Sequence, residues 1–285
     1  MKKYLATIVF GWFSALSLLS QVSVEVELEK KQLVANEDLR IAVHITNHSG
    51  QSLHLGADEE WLSFNCALVE RGELSPNGLV SVLGEFELGT SKKATKRVDL
   101  SPAYQLSSPG RYSLVAYLKI PGWNEMIESK PVYFEVLAGT IVWEQVVGLP
   151  GEEGLAPVRR KYLIQKASFL KDIQLFFRLT DAAEVNTYKV HGLGSIPSFG
   201  EVDAKVDKGS HLHVLHQSGP RFFSYVTFDT EGSIVERSRY EAQGTRPRLE
   251  LDLKGDVRVK GGQRRPAPTD ITRTSALKNE GVERK

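Results

Sequence analysis

Leu106-Ser107-Ser108-Pro109-Gly110-Arg111-Tyr112-Ser113-Leu114-Val115-Ala116-Tyr117-Leu118-Lys119-Ile120 is the stretch that decides the fold class. A Ser-Pro-Gly turn opens it, and Tyr112, Leu114, Ala116, Leu118 and Ile120 then recur at every second position. Successive side chains of an extended chain point to opposite faces, so this spacing makes a strand with one apolar face. The same pattern recurs outward from it. Val24, Val26 and Leu28 alternate with Glu25, Glu27 and Glu29, and Leu39, Ile41, Val43 and Ile45 follow. Leu62, Phe64, Cys66 and Leu68 repeat it, as do Val132, Phe134 and Val136. Turn-forming clusters separate these runs: Asn47 to Gly50, Ser75-Pro76-Asn77-Gly78, Ser108-Pro109-Gly110 and Pro121-Gly122. Short half-buried strands joined by turns argue for a sandwich over residues 21–138.

The residues of this part resemble a family. Gly110-Arg111-Tyr112 looks like the tyrosine corner of immunoglobulin-like sandwiches. Trp61 sits where such domains carry a core tryptophan, and Thr46-Asn47-His48-Ser49-Gly50 resembles a turn of bacterial Ig-like modules. The resemblance implies a fold, not an activity, and it gives Tyr112 a structural role. The disulfide common in that family is absent, because Cys66 is the chain's one cysteine.

Residues 139–262 also read as strands, among them Lys161 to Lys166, Ile173 to Leu179, Phe222 to Phe228 and Ser233 to Tyr240. A helix over 158–170 is the rival for one element, though no continuous amphipathic face supports it. Asp207-Lys208-Gly209-Ser210-His211 is echoed by Asp252-Leu253-Lys254-Gly255-Asp256, and Asp229-Thr230-Glu231-Gly232 reads as a third hairpin turn between them. Such repetition resembles propeller blades, but the segment is too short for the four or so blades that closure needs. The expected fold is all-β: an Ig-like sandwich, then a second antiparallel β-domain with blade-like hairpins.

Residues 1–20 combine Lys2 and Lys3 with a charge-free run from Tyr4 to Leu19. This is the form of a secretory signal peptide, with Ala15-Leu16-Ser17 offering the small residues cleavage needs. The expectation is an exported chain, periplasmic or secreted, without a transmembrane span once the leader is removed. Asn47-His48-Ser49 matches a glycosylation sequon. Residues 263–285 are polar and rich in charge, and are expected to form a disordered tail.

The 285 residues carry 36 basic and 35 acidic side chains, a formal charge of +1, which argues against a globally basic nucleic-acid binder. A single cysteine excludes a Cys-built zinc cluster. His211 and His213 share a parity on an extended chain, as two metal ligands would, with His216 on the other face and His191 or a carboxylate as third ligand. The simpler expectation puts these histidines on a solvent face opposite Leu212 and Val214. Arg221, ahead of Phe222, Phe223 and Tyr225, could offer a guanidinium and ring platform to a carboxylate or sugar. Arg246-Pro247-Arg248 and Lys254 to Arg265 read as a basic sheet edge of the kind that discourages aggregation. No nucleophile elbow, zinc-protease helix, P-loop or dinucleotide fingerprint occurs.

The resulting expectation is an exported, non-enzymatic binding or scaffolding protein, monomeric or weakly oligomeric. Its partner would be a protein or glycan, with no nucleic acid and no cofactor. The alternative is a glycan-active or metal-dependent hydrolase with its site around His211, His213 and Arg221; the candidate binding residues are His213, Arg221 and Tyr225, and the candidate metal ligands His211 and His213.

Overall fold

The computed structural model describes residues 21–149, 158–268, 270 and 271. The expected leader over 1–20 lies outside the described residues, as does most of the expected tail. Every regular element described is a strand, and the sheets are open rather than closed into a barrel.

Alternating strands bury their apolar faces by pairing two sheets. One sheet orders β1 (Val22–Leu28), β3 (Arg40–Asn47) and β8 (Lys93–Asp99). The other orders β2 (Gln32–Val34), β11 (Val132–Leu137), β9 (Gly110–Leu118), β5 (Leu62–Leu68) and β6 (Gly72–Glu73). β2 runs parallel to β11, and β10 (Ile127–Glu128) pairs with β9. β4 (Leu53–Leu55) and β7 (Phe86–Leu88) form a small separate pair. One core joins Val24, Ile41, Val43 and Ile45 of the first sheet to Cys66, Tyr112, Leu114 and Phe134 of the second.

Polar atoms in this core are satisfied locally. The Tyr112 hydroxyl donates to the Ser108 carbonyl at 2.7 Å, and its ring stacks on Phe134. The buried Trp61 indole donates to the Val82 carbonyl at 2.8 Å. Asn47 is wholly buried, and its amide nitrogen donates to the carbonyls of Gln51 and Leu88. The sequon asparagine is therefore a core hydrogen-bonding group. Burial alone pushes the Cys66 thiol up to about 12, so it packs as a small hydrophobe.

The rest of the chain builds two meanders. β12 (Thr140–Leu149), β13 (Val158–Ser168), β14 (Ile173–Asp181) and β15 (Thr187–Ile196) form a four-stranded sheet in chain order. β16 (Val202–Val206), β17 (Leu212–Gln217), β18 (Phe222–Phe228) and β19 (Ile234–Glu241) form the next, extended by β22 (Gln263–Arg265). Tyr162, Ile164 and Phe177 of one sheet share a core with Leu212, Val214 and Phe228 of the other. The Phe177 and Phe228 rings stack at 4.0 Å between centroids. A hairpin of β20 (Arg248–Leu251) and β21 (Val257–Lys260) adds Leu249 and Val257 to a smaller cluster with Leu215, Phe223 and Tyr225.

The strand reading holds against its rival, and one expectation changes. The rival helix is absent, since 158–168 is β13 with Tyr162 to Gln165 all buried. Residues 263–265, assigned to a disordered tail, pair with β19 as β22, and Ile271 bridges to Arg237. The second part is antiparallel β as expected, its blade-like hairpins joining strands of two open sheets.

Candidate binding cleft

Asp207 begins the turn between β16 and β17, and its Oδ1 accepts the backbone N–H groups of Gly209 and His211 at 2.8 and 2.9 Å. Its Oδ2 meets His211 Nδ1 at 3.2 Å and His213 Nε2 at 3.1 Å. On the far side of the His213 ring, Nδ1 lies 2.7 Å from the Tyr225 hydroxyl, which lies 3.0 Å from Thr227 Oγ1. One proton arrangement satisfies the whole chain: Thr227 donates to Tyr225, Tyr225 to Nδ1, and Nε2–H to Asp207. Burial pushes the Asp207 carboxyl up, but bonds from the His211 N–H, His213 and His211 outweigh it and hold the group below its usual value.

His213 is thus 1% exposed, against the expectation of a solvent-facing ring. The reason is tertiary: hydrophobic residues of the β20–β21 hairpin cover the second face of the β16–β19 sheet, so both faces of β17 are buried. His211 remains partly open. His216 points from the opposite face of β17, fully buried. His191 lies on β15 and gives its Nε2 to the Gly232 carbonyl at 2.9 Å. Among the described residues, no group of three or more His, Cys, Asp or Glu is arranged to hold a metal ion. Arg221 stands at the other end of β18 from Thr227 and pairs with Glu241 at 3.1 Å. The structure therefore brings Tyr225 to His213 and separates Arg221 from both.

A different arrangement forms where the two parts of the chain meet. Val34 packs with Ala167 and Phe176 in a seam between them. The turn after β2 adopts a left-handed backbone at Asn36, φ 60°, a conformation asparagine tolerates. From there the Asn36 N–H reaches the Leu106 carbonyl at 3.0 Å, and its side-chain amide reaches Thr187 Oγ1 at 3.1 Å. One residue thus ties both parts together. Glu37, nearly buried, accepts from the Val34 N–H at 2.9 Å and from Lys30 at 2.6 Å.

Above this seam opens a cleft of about 480 Å³, lined from one side by Asp38, Arg40 and Gln105 and from the other by Tyr188, Lys189 and His191. An adjoining hollow of about 230 Å³ shares Glu37, Asp38, Arg40, Val190 and His191 with it. The charges are mixed: Arg40 pairs with Asp38 at 2.7 Å, while Lys189 faces the cleft. Tyr188 presents a half-exposed ring with the Arg160 guanidinium 5.2 Å from its centroid. Burial holds the His191 imidazole below its usual value, opposed by the bond to Gly232, so it is neutral at pH 7. Tyr104 donates to the Phe64 carbonyl at 2.6 Å, and burial pushes it up to about 12. These groups suit recognition through many modest hydrogen bonds.

Sequence reasoning passed over this cleft, apart from His191 as a metal ligand. Its lining comes from segments about 150 residues apart in the chain. The one local signal was Asn36-Glu37-Asp38, a polar cluster between two strands.

No protein-family model matches the chain, and no curated protein does. A solved structure, the sporulation control protein Spo0M from Bacillus subtilis, aligns over 59% of this chain and 83% of its own. The identity is 11% and the TM-score 0.31.

Proposed function

We propose that this is an exported, non-catalytic binding protein that holds a polar ligand, a glycan or an extended polypeptide segment, in the cleft between its two β-parts. The cleft carries this reading. Ligand sites favour junctions between packed units, and this one combines both charge signs, an aromatic ring and amide groups. On the same reading the N-terminal part is an Ig-like sandwich. Its support is the order β1-β3-β8 against β11-β9-β5 and the Tyr112 bond back to Ser108. The charge-free stretch from Tyr4 to Leu19 behind two lysines supports export.

The test is thermal melting of the purified protein with two ligand sets, neutral and acidic oligosaccharides in one and unstructured peptides in the other. A binder raises the melting temperature by mass action, and the rise disappears in Arg40→Ala and Lys189→Ala. A shift that survives both substitutions refutes the cleft assignment. N-terminal sequencing of the chain expressed in a bacterium reads export separately: an intact Met1 refutes it.

A further inference from the structure

The end of the molecule carrying the β13–β14 turn combines protruding apolar side chains with cations. Leu170, at the tip of that turn, is 90% exposed. It is also firmly held. The Leu170 N–H meets Gln32 Oε1 at 3.3 Å, the Phe169 N–H donates to the Asp172 carbonyl at 2.8 Å, and Asp172 accepts from Gln174 and Ser195. Ser195 lies at the end of β15, which leads into the tight turn Pro197 to Gly200, closed by a 2.8 Å backbone bond. Phe199 occupies that turn and is 81% exposed. Lys166, near the end of β13, holds this second turn against the β12–β15 sheet by donating to the Gly200 carbonyl at 2.8 Å. Ile141, at the start of β12, pairs with Gln165 near the end of β13, Val142 bulges next to it, and both are exposed. Among the described residues, nothing packs over the exposed leucine and phenylalanine of these braced turns.

Beside Leu170 three lysines face two carboxylates that are already engaged, Glu37 by Lys30 and Asp172 by Gln174 and Ser195, and past Phe199 the carboxylate of Glu201 pairs with Arg246 at 3.4 Å. A hollow of about 380 Å³ there is lined by Lys30, Lys31 and Lys171 with Glu37, Asp172 and Phe169. Lys31 and Lys171 make no ion pair among the described residues, whereas Lys30 is held by Glu37. Arg221, in the turn between β17 and β18, lies at this same end of the second sheet, where one carboxylate, Glu241, serves both Arg221 and Arg265 at 3.1 and 2.8 Å. The opposite end differs in kind. There the turns begun by Asp207, Asp229 and Asp252 gather, and Tyr162 and Arg160, near the start of β13, reach Ser210 and Thr230.

We propose that the end led by Leu170 and Phe199 docks on an anionic lipid bilayer, the two apolar tips entering the interface while Lys31, Lys171 and Arg221 meet the headgroups. The tips are convex, and a fluid interface accepts convex apolar side chains without a shaped pocket. Unpaired lysines beside them match the negative surface of such a membrane. Neither feature is required by the cleft reading, and each can stand without the other.

The test places an environment-sensitive fluorophore on the full chain through Leu170→Cys. The native Cys66 is buried and its thiol is raised to about 12, so the label goes to the new thiol. The probe is expected to shift to apolar emission with vesicles of phosphatidylglycerol in phosphatidylcholine, and to respond far less to phosphatidylcholine alone. Lys31→Glu with Lys171→Glu is expected to raise the lipid concentration needed by about tenfold or more. A matched probe at Leu253→Cys, fully exposed in the Asp252 turn, is expected to stay in water. The proposal is overturned if the probe at 170 keeps its aqueous emission with anionic vesicles, or if the probe at 253 shifts equally. It is overturned in favour of an acidic protein partner if a polyglutamate peptide, without lipid, moves the probe at 170 as far as vesicles do.

Discussion

His216 makes the sharpest prediction about stability. It lies on β17 facing the core between the two meanders, 1% exposed, and neither ring nitrogen has a hydrogen-bond partner. Burial first, and repulsion from Arg237 second, bring its pKa from 6.5 to about 4. A base depressed in this way is neutral when folded and takes up a proton on unfolding. Its contribution is therefore present above 6.5 and is lost as the pH falls from 6.5 towards 4. A shift of that size corresponds to about 3 kcal/mol in full, of which about 2 kcal/mol is lost between about pH 7 and pH 5. The perturbation is His216→Leu, which removes the titration and two unpaired polar atoms together. At pH 7 the variant is expected to be at least as stable as the natural chain, because unpaired buried polar atoms cost about 1–3 kcal/mol. At pH 5 its advantage is expected to widen by about 2 kcal/mol. Native-state hydrogen exchange over β17 and β18 measures this, since it reads the opening of that core apart from the N-terminal one. His191 is also depressed and titrates in both proteins, so the comparison cancels it. A gap between variant and natural chain that does not change from pH 7 to pH 5 refutes the reasoning.

Other sites give smaller and equally definite effects. Tyr112→Phe deletes the hydroxyl that bonds to Ser108, and is expected to cost about 1 kcal/mol, read as a lower melting temperature by calorimetry. Gly232→Ala forces a side chain onto φ +79°, with Leu179 and Lys189 atoms 3.1 and 3.2 Å from the new carbon, and is expected to cost at least about 1 kcal/mol in urea unfolding. Ser210→Gly removes a side chain from the left-handed backbone at φ 63° and is expected to stabilise by up to about 1 kcal/mol in the same assay. Asp207→Asn removes the charged acceptor of the His211 and His213 bonds and is expected to cost about 1–3 kcal/mol. Because the Asp207 carboxyl is held below its usual value, its contribution is present above 3.8 and lost as pH falls through the folded value, a loss the variant lacks.

The strands legible in the sequence were those with one wet and one dry face. Ile41, Val43 and Ile45 on β3, and Tyr112, Leu114, Ala116 and Leu118 on β9, alternate cleanly and are buried as their spacing requires. β8 escaped because only Ala94 and Val98 mark its inner face amid lysines and an arginine. β4, β6, β7 and β10 span two or three residues each, too short for any period to register. Where both faces are covered the alternation disappears. That is why β13, buried continuously from Tyr162 to Gln165, also read as a helix, and why His213 was placed in solvent. Coverage by a hairpin some 40 residues further along is not a property of the strand it covers. The cleft was illegible for the same reason, since Asn36 and Thr187 become neighbours only through the seam of Val34, Ala167 and Phe176.

The internal echo had a local cause. Asp207, Asp229 and Asp252 each accept, through one carboxylate oxygen, the N–H groups two and four residues ahead. Each turn also closes with backbone bonds between its first residue and its fourth and fifth. The fourth residue is left-handed in all three, at Ser210, Gly232 and Gly255. A hairpin loop of this length needs a short acceptor at its start and a residue tolerant of positive φ near its end. Three loops solving one geometric problem will share Asp and Gly at similar spacing whether or not their strands share ancestry. In the first loop the glycine falls one place early, at Gly209, and Ser210 takes the strained backbone instead. A copied motif would have kept the glycine where the backbone needs it. The resemblance to repeating blades therefore reports the chemistry of a turn, and the sheets those turns connect remain two open meanders.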